Sequence, residues 1–307
     1  MKSEILVVLN KDEDTISFVS TKTGETVKNI ASDHNPHEVV VSSDQRTTYV
    51  SCSLGNTIDV IDNETLEITH RIKHPKFDFP HGVGMTQSNR LFCASTYSAC
   101  VFEVDTDNYE IVRVVETGEV HSHMIALTPD EKTIYVPNIG SDSISVLDGN
   151  TLSVLSVIGV GRGPEGVAVH PNGKWLYVAN QDDNNLFILD TQTHEVLWKR
   201  KLGSCPIRVV FSPDGKYALI PNRESDDLSI IMTEQELNGT TRPCEIKRVP
   251  VGKWPGGTVF SKDGLKAFVA NNKTNDVSVI DMQTLKEVNR FDVGIHPDGM
   301  AIIFRNE

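Results

Sequence analysis

Short runs of alternating apolar and polar residues recur along the whole chain, separated by turns rich in Asn, Asp and Gly. A representative stretch is "GPEGVAVHPNGKWLYVANQDDNNLFILDTQTHEVLWKRKL", from Gly163 to Leu202. Alternation with a period of two residues is typical of half-buried β-strands, and Asn, Asp and Gly favour the tight turns between them. Each such stretch therefore predicts four short antiparallel strands.

This unit is repeated around the chain. Its starts are Asn35, Phe79, His121, Gly163, Cys205, Trp254 and His296. Successive starts are 44, 42, 42, 42, 49 and 42 residues apart, and the two longer spacings reflect extra residues near 74–78 and 234–245. Four short strands in a repeat of this length are typical of one blade of a β-propeller.

The number of units predicts how the ring closes. The seventh start leaves only residues 296–307, enough for one strand, and residues 4–30 can supply the other three. A blade built from both chain ends removes exposed sheet edges. The sequence thus predicts an all-β fold in which residues 1–307 form a single seven-bladed β-propeller domain of four-stranded blades.

Net charge and cysteine content indicate which kinds of partner and which cellular compartment to expect. The formal net charge is -13 and no Lys/Arg-rich run occurs, which disfavours nucleic acid and anionic membrane surfaces. The start, "MKSEILVVLN", has an apolar run too short for a signal peptide or a membrane span. Five scattered cysteines without a C-x-x-C pair fit reduced thiols. We therefore expect a cytoplasmic protein that acts on a small-molecule substrate.

Equivalent positions of rotationally related units should form rings around the central channel. The ring at the start of the innermost strands is His37, His81, His123, Glu165, Ile207, Gly256 and Asp298. Its three histidines and Glu165 come from four consecutive units and suit a divalent transition metal such as Fe, Mn, Zn, Ni or Cu, with positions left open for substrate. The alternative is that a wet channel mouth carries polar residues without any ligand.

Further candidates lie near the same mouth. Asp298 or His296 could serve as a catalytic base across the ring, and Arg208 could orient an anionic substrate. Arg223, Trp254 and His121 are candidate substrate-binding residues, although Arg223 could instead pair with an acid of its own "RESDD" segment. The strand-end residues Asn10, Asn138, Asn180, Asn222 and Asn271 are expected to satisfy backbone groups.

Two resemblances bear on these expectations. The segments "LYVANQDDNNLFILDTQT" and "AFVANNKTNDVSVIDMQT" resemble the YVTN-type β-propeller repeat family, which implies the fold over essentially the whole chain. The third and fifth units are also similar to blades of the propeller lactonases, of the phosphogluconolactonase and muconate-lactonizing type. That resemblance implies functional roles for His123 (or His121) and Arg223.

The chain departs from the lactonase pattern at two places. Pro164-Glu165-Gly166 stands where that family carries Pro-Arg-His, and Asn180-Gln181 stands where it carries Asn-Glu. The resemblance therefore implies a shared scaffold more than an identical reaction.

Three functions remain open from the sequence. The leading hypothesis is a metal-dependent enzyme that acts on a small anionic molecule at the channel mouth, as a hydrolase or lyase, or as an oxidase if the metal is redox-active. The alternatives are a non-catalytic interaction scaffold and a metal-free, lactonase-like hydrolase or isomerase.

Overall fold

Seven four-stranded antiparallel sheets make up the protein, and they form a seven-bladed β-propeller. The computed structural model describes residues 2–237 and 240–306. Within those residues the helical structure is a single 3₁₀ turn, Ile139–Ser141, and no helix is long and apolar enough to cross a membrane. The predicted fold class is confirmed.

The strands follow the repeats of the sequence. In chain order the first fourteen are β1 (Lys2–Asn10), β2 (Thr15–Ser20), β3 (Thr26–Ala31), β4 (Pro36–Val41), β5 (Thr47–Cys52), β6 (Thr57–Asp62), β7 (Glu67–Lys73), β8 (Pro80–Met85), β9 (Leu91–Ser95), β10 (Cys100–Asp105), β11 (Glu110–Glu116), β12 (Ala126–Leu127), β13 (Thr133–Asn138) and β14 (Ser143–Asp148). The others are β15 (Val154–Gly159), β16 (Pro164–Val169), β17 (Trp175–Asn180), β18 (Asn185–Asp190), β19 (Val196–Lys201), β20 (Val210–Phe211), β21 (Tyr217–Asn222), β22 (Asp227–Leu237), β23 (Thr240–Pro250), β24 (Pro255–Phe260), β25 (Lys266–Asn271), β26 (Asp276–Asp281), β27 (Lys286–Asp292) and β28 (Pro297–Asn306).

The two chain ends meet in one blade. Blades 1 to 6 are β4–β7, β8–β11, β12–β15, β16–β19, β20–β23 and β24–β27, and blade 7 has the order β28-β1-β2-β3. Strand β28 pairs antiparallel with β1, with Ile5 opposite Ile303 and Val7 opposite Ala301. This pairing confirms the predicted closure and covers the edge that each chain end would otherwise expose.

Apolar side chains between neighbouring sheets hold the ring together. One cluster joins Phe18 of blade 7 to Val50 and Ile61 of blade 1, all fully buried. Burying such a side chain contributes roughly 1.5–3 kcal/mol. The outermost strands are mostly exposed, as expected for the rim of a propeller, and five of the seven residues of β7 are exposed.

The strand-end asparagines bond mainly to side chains rather than to the predicted backbone groups. Asn271 is fully buried, and its Nδ2 donates to Asp276 Oδ1 at 2.6 Å and to Ser278 Oγ at 2.8 Å, both on the next strand. The same side-chain bonding recurs at Asn10, Asn138 and Asn222. The expected backbone contacts occur at two of the five positions, since Asn10 Oδ1 accepts from the Gly294 N–H and Asn180 Nδ2 donates to the Val178 carbonyl. At the other positions the amide Nδ2 donates to side chains five and seven residues ahead.

The insertion at 234–245 lengthens strands β22 and β23 to eleven residues each. Each innermost strand begins at the channel mouth, so the turn between the third and fourth strands of an antiparallel blade lies at the opposite end. The long hairpin therefore extends away from the mouth.

Candidate active site

A repeated backbone turn builds the mouth of the channel. The residue that precedes each innermost strand has a left-handed conformation in all seven blades, with φ between 53° and 60°. Six of these seven residues are not glycine, although L-residues pay for this conformation. The turn sends the next residues toward the axis.

All seven residues of the predicted ring line one cavity of about 350 Å³. His81, His123, Glu165 and Asp298 are also more than 90% buried. The cavity is at the small end of the range for ligand pockets. The ring is therefore a real feature of the structure, whatever the roles of its members.

Four charged residues form a buried network at the cavity, and three of them line it: Glu165, Arg208 and Asp298. The Arg208 guanidinium is bonded to Glu38, and it lies 3.6 Å from carboxylate oxygens of Glu165 and Asp298. All four side chains are 12% exposed or less. Arg208 is thus committed to three carboxylates, which leaves it less free to orient a substrate than predicted.

Burial and charge pull the pKa values of these carboxyls apart. Burial raises the pKa of Glu38 to about 7, against the opposing effect of Arg208, and burial also raises the pKa of Glu165. Burial alone would raise the pKa of Asp298 as well, but Lys11, His37 and Arg208 together hold it well below its usual range. Asp298 is therefore the member that stays ionised.

Sequence reasoning missed Glu38, but a signal was available. Glu38 and Arg208 occupy the same position of their units, one residue after the ring. Four of the other five units have glycine there and one has methionine. A Cβ on Gly166 would lie 2.7 Å from Arg208 Cα, so the position is crowded by the neighbouring strand. A Glu and an Arg at equivalent positions of two repeats, where the other repeats mostly have Gly, predict an ion pair across the channel axis.

A second chain of contacts fixes the tautomer of His37. Asn35 donates from Nδ2 to the Lys11 carbonyl, so its Oδ1 accepts from His37 Nδ1 at 3.1 Å. In neutral His37 the proton then lies on Nδ1, and Nε2 keeps its lone pair. Asp298 Oδ2 lies 3.4 Å from that Nε2 and also accepts from Lys11 Nζ at 3.0 Å.

This arrangement can take up a proton. Burial lowers the pKa of His37, although the hydrogen bond that its protonated Nε2 donates to Asp298 opposes the shift. Neutral His37 therefore presents a proton acceptor at Nε2. Once Nε2 is protonated it can donate to Asp298, whose negative charge stabilises the imidazolium.

The predicted metal ligands do not converge on one point. The His81 and His123 rings are stacked, with centroids 3.7 Å apart and planes at 24°, and His37 lies 4.4 Å from His81. Burial holds the pKa values of His81 and His123 well below their usual range, and two neutral rings can stack without repulsion. Among the residues that the structure describes, these rings are not part of a group of three or more side chains arranged to hold one ion.

The carboxylate of the predicted set is also occupied by a cation. Glu165 lies 3.6 Å from the Arg208 guanidinium, so a positive charge already neighbours the carboxylate that would bind a metal. Within residues 2–237 and 240–306, no group of three or more His, Cys, Asp or Glu side chains is arranged to hold a metal ion. The ligand set His37, His81, His123 and Glu165 therefore does not fit a metal as arranged.

Arg223 reaches the cavity from blade 5. Its Nη2 donates to Gln181 Oε1 at 2.8 Å and to Cys205 Sγ at 3.2 Å, and its Cζ lies 5.6 Å from the Trp254 ring centroid. In the described part of the chain no carboxylate forms an ion pair with Arg223, so the pairing considered within "RESDD" is not formed. Arg223 and Trp254, two of the predicted substrate-binding residues, both line the cavity.

The remaining two predicted histidines differ in position. His121 is exposed at the cavity and packs edge-on against Tyr97, with centroids 5.4 Å apart. His296 does not line the cavity, because its Nδ1 is hydrogen-bonded to Asp12 at the rim. The position of His296 does not support the predicted role as a base. Lys11 and Tyr97, which sequence reasoning did not single out, do line the cavity.

The protein is thus a seven-bladed propeller with an axial cavity. The cavity is lined by the titratable pair His37 and Asp298 and by the Arg223 guanidinium. Residues 113–293 match the family described as "Lactonase, 7-bladed beta-propeller", and the chain belongs to that family. No curated protein sequence matches the chain.

Solved structures share the fold at low sequence identity. The periplasmic gluconolactonase of Pseudomonas aeruginosa is 19% identical, with 99% of each chain covered and a TM-score of 0.79. A protein of unknown function from Desulfotomaculum acetoxidans is 17% identical, with 98% of this chain and 99% of that chain covered and a TM-score of 0.85. Hydrazine synthase of Kuenenia stuttgartiensis is 21% identical, with 91% and 92% covered and a TM-score of 0.79. At these identities the likeness concerns the fold alone.

Proposed function

We propose that this protein is a hydrolase that opens the cyclic ester of a small anionic molecule, with proton transfers carried by its own side chains. One observation carries the proposal: a single cavity holds both the His37–Asp298 pair and Arg223, a cation without a carboxylate partner among the described residues. Membership of the lactonase propeller family supports the reaction class.

Arg223 is the anchor for the anionic group. Lys11 is engaged by Asp298, and Arg208 is engaged by Glu38, so neither has its full charge available for a ligand. Within the described chain, the guanidinium of Arg223 donates hydrogen bonds only to the neutral partners Gln181 and Cys205, and the charge of Glu165 acts on it from beyond ion-pair distance. A substrate carboxylate or phosphate would supply the missing negative charge.

The His37–Asp298 pair activates water. His37 Nε2 takes one proton as the water oxygen forms a bond to the ester carbonyl carbon, and Asp298 stabilises the resulting imidazolium. The bond between that carbon and the ring oxygen then breaks. The leaving oxygen takes a proton either from His37, which returns to its neutral form, or from Glu165, whose raised pKa favours a protonated carboxyl. In the second case His37 releases its proton to solvent and Glu165 is reprotonated from solvent before the next cycle. The product is an open-chain hydroxy acid.

The test is a hydrolysis assay on untagged protein with and without exhaustive chelation. Five- and six-membered lactones would be compared with and without a carboxylate or phosphate substituent, and acid release would be followed with a pH indicator. We expect turnover of anionic lactones that survives chelation. Arg223→Gln should lose the preference for anionic substrates, whereas Arg46→Gln, an exposed arginine away from the cavity, should retain it.

Two results would overturn the proposal. One is the absence of hydrolysis across the whole panel. The other is equal turnover of neutral and anionic lactones in the wild-type protein. Activity that disappears on chelation and returns with a transition metal would instead restore the metal-dependent hypothesis.

A further inference from the structure

We infer that the ligand of this cavity carries an aromatic ring bearing an oxoanion group, and that a polyhydroxylated sugar ring is a poor ligand. The inference rests on the proposed function, since it concerns the same cavity. It is carried by the unequal distribution of side chains around the cavity wall.

One side of the cavity is a continuous surface of ring faces and edges from blades 2 and 3. We call it the aromatic wall, and it consists of Phe79, His81, Tyr97, His121 and His123. The Phe79 and His81 planes are within 11° of parallel, and His123 stacks on His81. Tyr97 packs against Phe79 with centroids 5.1 Å apart. Tyr97 is 58% exposed, so its ring is available to a ligand.

The charged residues of the cavity come from the other blades. Glu165 begins blade 4, Arg208 and Arg223 belong to blade 5, and Lys11 and Asp298 belong to blade 7. A ligand that spans the cavity therefore meets the aromatic wall at one end and Arg223, beside the Trp254 ring, at the other. This arrangement fits a molecule with one flat apolar end and one anionic end.

The ring faces of the aromatic wall offer no strong hydrogen-bond partner to hydroxyl groups, and two of its ring nitrogens are unavailable. His123 Nδ1 is already bonded to Thr96 Oγ1 at 3.0 Å. His81 Nδ1 is buried out of reach of solvent. A polyhydroxylated ring placed against these ring faces would regain few of the hydrogen bonds that it makes with water, whereas an aromatic ring has none to lose. The volume of about 350 Å³ suits a small ligand.

Calorimetric titration with three non-reacting acids tests the inference without requiring turnover. The probes are benzoate, cyclohexanecarboxylate and gluconate, which share one carboxylate and differ in the rest of the molecule. We expect benzoate to bind roughly tenfold or more tightly than either of the others, the size of effect that ring–ring contacts provide. Arg223→Gln should weaken all three acids.

Two variants locate the preference. Tyr97→Leu and Phe79→Leu should each reduce the affinity for benzoate and leave that for cyclohexanecarboxylate nearly unchanged. Tyr97 is the safer position because it is exposed, and unchanged melting temperatures would show that both variants are folded. Equal affinity for the three acids, tighter binding of gluconate, no binding of benzoate, or a preference that survives both substitutions would overturn the inference.

The two proposals fail in different ways. Absence of lactone hydrolysis with the benzoate preference intact would overturn the proposed function alone. Hydrolysis of anionic lactones without any preference for the aromatic acid would overturn the inference alone.

Discussion

Removing the buried guanidinium of Arg208 should destabilise the protein strongly, and in a pH-dependent way. In Arg208→Met, three carboxylates would remain around a site that has lost its central cation. The Arg208 side chain is 8% exposed, so solvent screens these charges little. Removing one partner of a buried ion pair typically costs about 3–5 kcal/mol, and we expect a loss in that range at pH 8.

The sign of the pH dependence follows from the remaining carboxyls. Without Arg208, burial and mutual repulsion raise the pKa values of Glu38 and Glu165 further above those of the unfolded chain. The folded variant then binds more protons than the unfolded chain, so its stability rises as the pH falls from 8 toward 5. The deficit relative to wild type should shrink over this interval.

Urea denaturation of wild type and variant at pH 8 and pH 5 measures both effects. Arg162→Met is the matched control, because Arg162 is 68% exposed and pairs with Asp183 at 2.7 Å on the surface. The control should show no resolvable change at either pH. A loss below about 1 kcal/mol for Arg208→Met at pH 8, or a deficit independent of pH, would refute this reading of the network.

Three further predictions concern stability. Glu38→Gln should flatten the pH dependence of the free energy of unfolding. The raised pKa of Glu38, about 7, makes wild-type stability fall by up to about 3 kcal/mol as the pH rises from about 4.5 to 7. Identical urea profiles for the two proteins would contradict this. Gly163→Ala should cost about 1–2 kcal/mol, since its φ is 60° and a Cβ would lie 2.6 Å from Asp182 Oδ2; an unchanged thermal midpoint would show that the turn is not strained. Asn271→Ala should cost about 1–3 kcal/mol through its lost bonds to Ser278 and Asp276, and chemical denaturation that shows no loss would rule out that role.

The repeat made the fold predictable. Its period, its turns and the incomplete last unit led to seven blades and to the pairing of β28 with β1, because rotational symmetry leaves few other arrangements. The same symmetry placed His37, His81 and Asp298 on one ring, which the structure reproduces. Position around the axis is thus readable from one repeated sequence.

Side-chain chemistry was less predictable. The ring suggested converging metal ligands, but ligand identity does not determine ring orientation, and His81 stacks on His123. Glu38 and Arg208 are 170 positions apart in the sequence. Predicting their ion pair requires a comparison of the charges at equivalent positions of the seven repeats. The role of Asn35 depends on which way its amide faces, which only its contact with the Lys11 carbonyl determines.

Kinetics of the best anionic lactone can separate proton transfer by His37 from anion binding by Arg223, which is the most direct test of the proposed catalytic roles. His37→Gln should lower kcat by about 10²–10⁴-fold with little change in KM, because it removes the proton acceptor beside Asp298. Arg223→Gln should mainly raise KM, because it removes the anchor for the anionic group. If His37→Gln leaves kcat within about twofold of wild type, the His37–Asp298 pair does not activate water and the account is wrong.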